Sequence, residues 1–206
     1  YVSHNMETIR TLCNRCIVLE KGHLVFDGEP EEAIAKYLGD VVQMKLHYTY
    51  EANANDRRTT GKMQFTSLDI KKSNQVTAKE GIGFFVAFRV KEAIADLHLR
   101  CTIHSKDGQA VGTSVSEGIG AFAKNASAGV GIHFDTTSLT KGEYVAELAA
   151  VEPMGGGRQW RHAWLEHAFA FEITEDAFGQ YSLNRNAKEW GYTVYPDLKI
   201  EKCDRM

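Results

Sequence analysis

The chain has 206 residues, 43% of them hydrophobic and 25% charged, with a formal net charge of -3. These are ordinary globular values, enough for one large domain or a medium domain with an appendage, and they exclude disorder and a coiled coil. There is no Lys/Arg block of the kind a nucleic-acid binder uses, so nucleic acid is not expected as a partner, and no apolar run approaches the roughly 20 residues that cross a bilayer.

Asn5 to Cys16 carries Met6, Ile9, Leu12, Cys13 and Cys16 at spacings of three or four, which predicts a helix with one apolar face. Ile17 to Glu20 reads as a short strand, Lys21-Gly22 as a turn and His23 to Phe26 as the returning partner, closed by Asp27-Gly28. Pro30 suits the first position of a second helix, with Glu29, Glu31 and Glu32 near its positive end. Ala33, Ile34, Tyr37 and Leu38 form its buried face, and Gly39 ends it. No second Cys pair or close His pair completes a zinc site with Cys13-x-x-Cys16, so no metal is expected and both thiols read as packed and reduced.

The stretch EANANDRRTTG, residues 51–61, is polar and nearly free of large apolar groups, as a linker is. The expected organisation is a first unit over 1–39, a linker over 40–60 and a body over 61–206. Within the body KMQFTSLDI, GIGFFVAFRV, DLHLRCTIH, QAVGTSVS, VGIHFD, GEYVAELAAV and WLEHAFAFEI are bounded by Gly, Asn, Asp or Ser, and several alternate with period two. About seven strands at such spacing predict a mainly β fold, an antiparallel immunoglobulin-like β-sandwich preceded by a short α/β piece. Tyr192, Val194, Leu198 and Ile200 offer further strand segments.

The opening residues VSHNMETIRTLCNRCIVLEKGHLVFDGEPEEAIAKYL resemble the last part of an ABC transporter ATPase domain. There a strand ends in a Ser-His pair and is followed by a helix, a short hairpin and a Gly-x-Pro-Glu-Glu helix. Val2, Ser3 and His4 look like the switch loop, and the match runs over roughly the first 38 residues. Followed by a sandwich of this size, that remnant resembles the ATP-binding subunit of bacterial polysaccharide exporters, particularly O-antigen exporters whose C-terminal domain binds the glycan. The resemblance implies that the chain is the end of a longer polypeptide. It implies a cytoplasmic position peripheral to the inner membrane, a transmembrane exporter subunit and an undecaprenyl-linked polysaccharide as partners, and a homodimer; exchange of the terminal segment around Tyr192 to Ile200 is one way for a second copy to cover an exposed sheet edge.

An ATPase of this kind cradles phosphates with G-x-x-x-x-G-K-[ST], which this sequence lacks. ATP and magnesium therefore belong to the full-length subunit, where the resemblance makes His4 the catalytic contact to the terminal phosphate; this piece is expected to bind no cofactor and to be no enzyme. Gly155-Gly156-Gly157 and Gly118 to Gly120 read as loops.

Sugar binding needs a sheet face with aromatic rings for the apolar side of a pyranose and planar or charged groups for its hydroxyls. The segment RQWRHAWLEH concentrates Arg158, Trp160, Arg161, His162, Trp164, Glu166 and His167 after the triple glycine. With Phe169, Phe171 and Ile173 inward, the parity of a continuous strand puts Trp164 and Glu166 outward, and with Leu97, Leu99 and Ile103 inward His98, Arg100 and His104 face out. The expected carbohydrate site is Trp164, Arg100, His98, Trp160, His162, Arg158 and Glu166. The alternatives are that each Trp caps the core and that the sheet face is merely solvated, the sandwich serving to dimerise the subunit or dock a partner.

Overall fold

The computed structural model describes residues 2, 6–20, 22–41, 44–51, 58–106, 108–177 and 191–193. His4 lies outside them, as do Val194, Leu198 and Ile200.

The first elements are the helix α1 (Met6–Leu12), the strands β1 (Cys16–Glu20) and β2 (His23–Gly28), and the helix α2 (Pro30–Val41). β1 and β2 form an antiparallel hairpin, and Met6, Ile9 and Ile34 make a small core against which Cys13, Cys16 and Tyr37 pack. Two boundaries differ from the sequence reading. The first helix stops at Leu12, leaving Cys16 to open β1, and the second runs past Gly39 to Val41. A glycine weakens a helix without obliging it to end.

The remaining strands are β3 (His47–Thr49), β4 (Met63–Ile70), β5 (Gln75–Thr77), β6 (Ile82–Val90), β7 (Ile94–Ser105), β8 (Ala110–Val115), β9 (Gly120–Phe122), β10 (Ser127–Phe134), β11 (Gly142–Gly155) and β12 (Arg158–Glu175). They form two facing sheets. One has the order β10-β6-β4-β3, the other β5-β12-β11-β7-β8 with β9 also paired to β7. Every pair is antiparallel except β5 with β12, which is parallel.

The expected sandwich is therefore what the chain forms, and the reason is visible in the alternation. In β6 Ile82, Phe84, Val86, Phe88 and Val90 are buried while the residues between them are not, and in β7 Leu97, Leu99, Cys101 and Ile103 do the same. These two rows meet Tyr144, Ala146 and Leu148 of β11 and Phe169, Phe171 and Ile173 of β12. Phe84 of one sheet lies 4.8 Å from Phe169 of the other, and within the second sheet Tyr144 stacks at 5.6 Å on its cross-strand partner Phe171. A bulge after Phe65 turns the parity of β4, so that Phe65 and Leu68 both point inward.

The segment expected to be linker contributes to this body. β3 pairs with β4, Tyr48 and Tyr50 pack on the core, and the Tyr50 hydroxyl donates to the Ala168 carbonyl at 2.6 Å. β11 and β12 are joined by Gly155, Gly156 and Gly157, whose φ angles of 80°, 59° and 73° lie in the left-handed region that favours glycine. Among the described residues no helix is long and apolar enough to cross a membrane.

Candidate functional site

The outer face of the six-stranded sheet is built in rows across β12, β11 and β7. Trp164, Ala149 and Arg100 form one row, with Val115 of β8 at its end; Arg161, Val151 and His98 form the next. β11 is buried on both of its faces, and Val145, Ala149 and Val151 give this outer surface a small apolar floor. Two irregularities in β12 decide what stands on it. Between Ala163, opposite Ala150, and Arg161, opposite Val151, the extra residue is His162. That bulge turns Arg161 outward and His162 inward. Between Leu165 and Phe169 two extra residues are accommodated opposite Glu147, and an even insertion leaves the parity of Trp164 unchanged.

Glu147 is the centre of the face. Its carboxylate accepts from Arg100 Nη2 at 3.2 Å, and His104 Nε2 stands 3.5 Å away. Burial pushes this carboxyl up, but His104, Trp164 and Arg100 outweigh that and hold it below the usual carboxylate range. Arg100 Nε, His104 Nε2 and Trp164 Nε1 are buried without a well-formed hydrogen bond. Three donors thus surround one acceptor that satisfies only part of them. A small hollow of about 80 Å³ opens beside it, lined by His104, Lys106, Val145, Glu147, Glu166 and His167 among others.

Trp164 is covered. The Arg58 guanidinium lies 3.9 Å from its ring centroid and that of Arg161 4.8 Å. Each such contact contributes on the order of 0.5 to 2 kcal/mol. Arg58 also reaches Glu166 at 3.6 Å. The ring that remains open is Trp160, half exposed at 50%. It borders a cleft of about 360 Å³ lined by Arg58, Thr59, Thr60, Gln159, Trp160 and Arg161. The chain around Thr60 is pinned there, because its N–H donates to the Arg161 carbonyl at 2.8 Å.

The expected site residues therefore divide. Trp164, Arg100, Glu166 and Trp160 cluster around the two hollows. His98 is on the same face but engaged: Nδ1 donates to the Ser116 carbonyl at 2.9 Å and Nε2 to Asp96 at 3.0 Å, two acceptors that raise its pKa and favour the imidazolium. Arg158 is exposed at the start of β12 and lines neither hollow. His162 is not on the surface at all. It is fully buried, its Nε2 donates to Glu152 at 3.1 Å, and its Nδ1 accepts from the Thr60 hydroxyl at 2.8 Å. Burial lowers its pKa against the pull of Glu152, so the ring is a neutral clamp between the approach to β4 and the end of β11.

Arg58, Thr59, Thr60, Gln159 and Glu147 are additions that the sequence did not single out. Only the Arg57-Arg58 pair at the end of the polar stretch could have signalled the first of them. Among the described residues no group of three or more His, Cys, Asp or Glu is placed to hold a metal ion.

No protein-family model matches the chain, and no curated protein matches it. Among solved structures, the crystal structure of the C-terminal domain of wzt matches with a TM-score of 0.52, covering 60% of this chain and 84% of that chain at 10% sequence identity. What the two share at that identity is the fold, an antiparallel β-sandwich.

Proposed function

We propose that the sandwich is a carbohydrate-binding module and that the glycan lies at the edge of the six-stranded sheet, in the cleft beside Trp160 where the Thr60 segment meets β12. The observation that carries this reading is the half-exposed Trp160 ring at the rim of a cleft whose walls are two guanidinium groups, an amide and two hydroxyls. A pyranose presents an apolar C–H face that covers an indole and a rim of hydroxyls that guanidinium, amide and hydroxyl groups can match. Nothing in such a set makes or breaks bonds, and holding is the role proposed.

The N-terminal pattern resembling an ABC ATPase, and a fold shared with the C-terminal domain of wzt, support placing the module in the ATP-binding subunit of a polysaccharide exporter. In that setting the ligand is an undecaprenyl-linked O-antigen read near its non-reducing end, and the subunit sits at the cytoplasmic side of the inner membrane against a transmembrane partner. Affinity is weak, since a shallow hydrated site gains little per contact. Calorimetric titration with the polysaccharide of the encoding organism, freed of its lipid, tests it. Trp160→Ala and Arg161→Ala should each weaken binding several-fold. Binding indifferent to both changes would remove the glycan from this cleft.

One observation favours assembly as a second role. β10 is an edge strand of eight residues, SAGVGIHF, paired to β6 without a single register shift and carrying no Pro, Lys, Asp or Glu. Natural edges are usually blunted by such residues, and among the described residues no strand pairs with the outer side of this one, which suits it to pairing with a second copy. A monomer by sedimentation at high concentration would dismiss it. The expected exchange of the segment to Ile200 falls mostly outside the described residues.

A further inference from the structure

We propose that Cys13 and Cys16 are a modification site, a vicinal dithiol that closes to a reversible disulfide when a low-molecular-weight disulfide oxidises it. The site stands apart from the glycan reading and does not depend on it.

Two different elements bring the thiols together. Cys13 is held at the end of α1 by the bond its N–H donates to the Ile9 carbonyl at 3.0 Å, and Cys16 opens β1 opposite Gly28. Between them the chain bends, and Arg15 pins the bend to β2 through a bidentate contact with Asp27 at 2.7 and 2.6 Å. Both cysteines pack on the same small core of Met6, Ile9 and Ile34, so their side chains leave the bend on one side, and they hydrogen-bond to each other. A disulfide needs that arrangement, with the two side chains aimed at one another over a short span. Both are free thiols, and each is partly exposed, within reach of a small reagent.

Cys101 is the contrast inside the same chain. It is 7% exposed in the core of the sandwich, where burial pushes its thiol up to about 12, and a thiol so placed is inert while the protein is folded. The pair also differs from the motif of a redox enzyme, which depresses one thiol with a helix N-terminus or a cation. Here Cys13 follows the C-terminal end of a helix, and the neighbouring Arg15 is committed to Asp27. Burial, then the Cys13 thiol and Glu29, push the Cys16 thiol up. Such a pair exchanges slowly, as suits a modification site rather than a catalyst.

One protein thiolate attacks a sulfur of the small disulfide and releases a small thiolate, which takes up a proton. The second protein thiol loses its proton and attacks the protein sulfur of that mixed disulfide, releasing the second small thiol. Two protein thiols are oxidised and one small disulfide is reduced to two thiols. The ring spans only residues 13–16, so it constrains the unfolded chain less than a long loop would, and the effect is local. It ties the end of a seven-residue helix, too short to hold by itself, to the hairpin that follows.

The test uses the full chain carrying Cys203→Ser, which removes the cysteine outside the described residues. It is equilibrated with mixtures of reduced and oxidised glutathione, in buffer and in urea, and its thiols are alkylated before mass spectrometry. The folded chain should lose two hydrogens through a Cys13–Cys16 bond at an oxidised-to-reduced ratio about tenfold lower than the urea-unfolded chain requires, with Cys101 still a thiol. Cys13→Ser and Cys16→Ser should each stop at a glutathione adduct on the thiol that remains. Amide exchange over Ile9 to Leu12 should slow several-fold on oxidation and recover with reductant. Closure no easier in the folded chain than in urea overturns the proposal, because the fold would then contribute nothing to it. A persistent adduct on the chain that keeps both thiols, or no reaction at all, overturns it as well. Oxidation that leaves amide exchange unchanged overturns the tie between helix and hairpin.

Discussion

The two outer faces of the sandwich start from the same rule and end differently. On the four-stranded sheet the outward positions of β6 and β10 include Gly83, Phe85, Ala87, Gly129, Gly131 and His133, with His47 and Asp69 paired at 2.6 Å on β3 and β4. On the six-stranded sheet the corresponding positions hold Arg100, His98, Glu147, Trp164 and Arg161. Both faces cover one core, so the difference owes nothing to stability of the fold as a whole. What it teaches is that a pleated sheet offers an independent choice every second residue: both faces carry charge, but the six-stranded one gathers it around a largely buried carboxylate, Glu147.

The largest test removes the common ground. Phe169→Ala empties a fully buried site in contact with Phe84 and Phe171 and should cost about 3 to 5 kcal/mol in urea unfolding, disabling both faces together. Loss of ligand binding with unchanged stability would mean that Phe169 is not shared core. Next comes Glu147→Ala, which leaves Arg100, His104 and Trp164 around a missing acceptor. A cost of about 2 kcal/mol is expected, less than for a fully buried pair because Glu147 keeps some exposure. A neutral effect would sever the cluster from the stability of its sheet.

Acid acts through groups of the six-stranded sheet. His162 is held neutral with a lowered pKa, so its contribution is complete above its unfolded value of about 6.5 and is lost as pH falls through the folded one. Glu147 and Glu152, also lowered, add losses at more acid pH, Glu152 because the Ala95 and Asp96 N–H groups and His162 outweigh its burial. His98 has the opposite sign: its raised pKa contributes stability that is full below about 6.5 and fades as pH rises. The thermal midpoint should therefore drop between pH 7 and pH 4. His162→Gln should cost about 1 kcal/mol at neutral pH and make the drop shallower. Parallel curves for the two proteins would show that His162 is not the sensor.

The legible part of this structure is what period and punctuation reach. β7 alternates cleanly, and its outward His98, Arg100 and His104 were readable from it. β3, β5 and β9 have three residues each, too short to show any period. β11 was readable as a strand but not as to its faces, since Val145, Ala149 and Val151 are as apolar as the inward row. His162 was assigned outward because counting back from Trp164 assumes an unbroken ladder, and the bulge beneath Ala163 breaks it. Arg58 lay in a stretch that composition marks as linker. Its place on Trp164 is a tertiary contact across more than a hundred residues, which no local pattern carries.

The smallest expected effect is the most discriminating. Phe85 is 40% exposed at the middle of the four-stranded face, and a Cβ added to Gly129 would collide with its ring, so the phenyl lies flat across the glycine. Among the described residues it is the other open aromatic on a sheet, and by appearance alone it competes with Trp160 as a sugar platform. The surroundings decide against it. Lys71 lies along Gly83 and Gly131 as a solvated cation, and Asp69 opposite Phe85 is taken up by His47. The guanidinium of that face, Arg89, stands four residues along β6 from Phe85, whereas Arg58, Arg161 and Gln159 line the same cleft as Trp160. Phe85→Ala should shift stability by about 0.5 kcal/mol or less, as half-exposed surface changes do, and leave the affinity for the glycan unchanged. Gly129→Ala should displace the ring with the same null effect on binding, because the far end of a side chain can swing away. If either change weakened the ligand as much as Trp160→Ala does, the plain face would be the binding face, and the charge on the other would have to be explained by assembly.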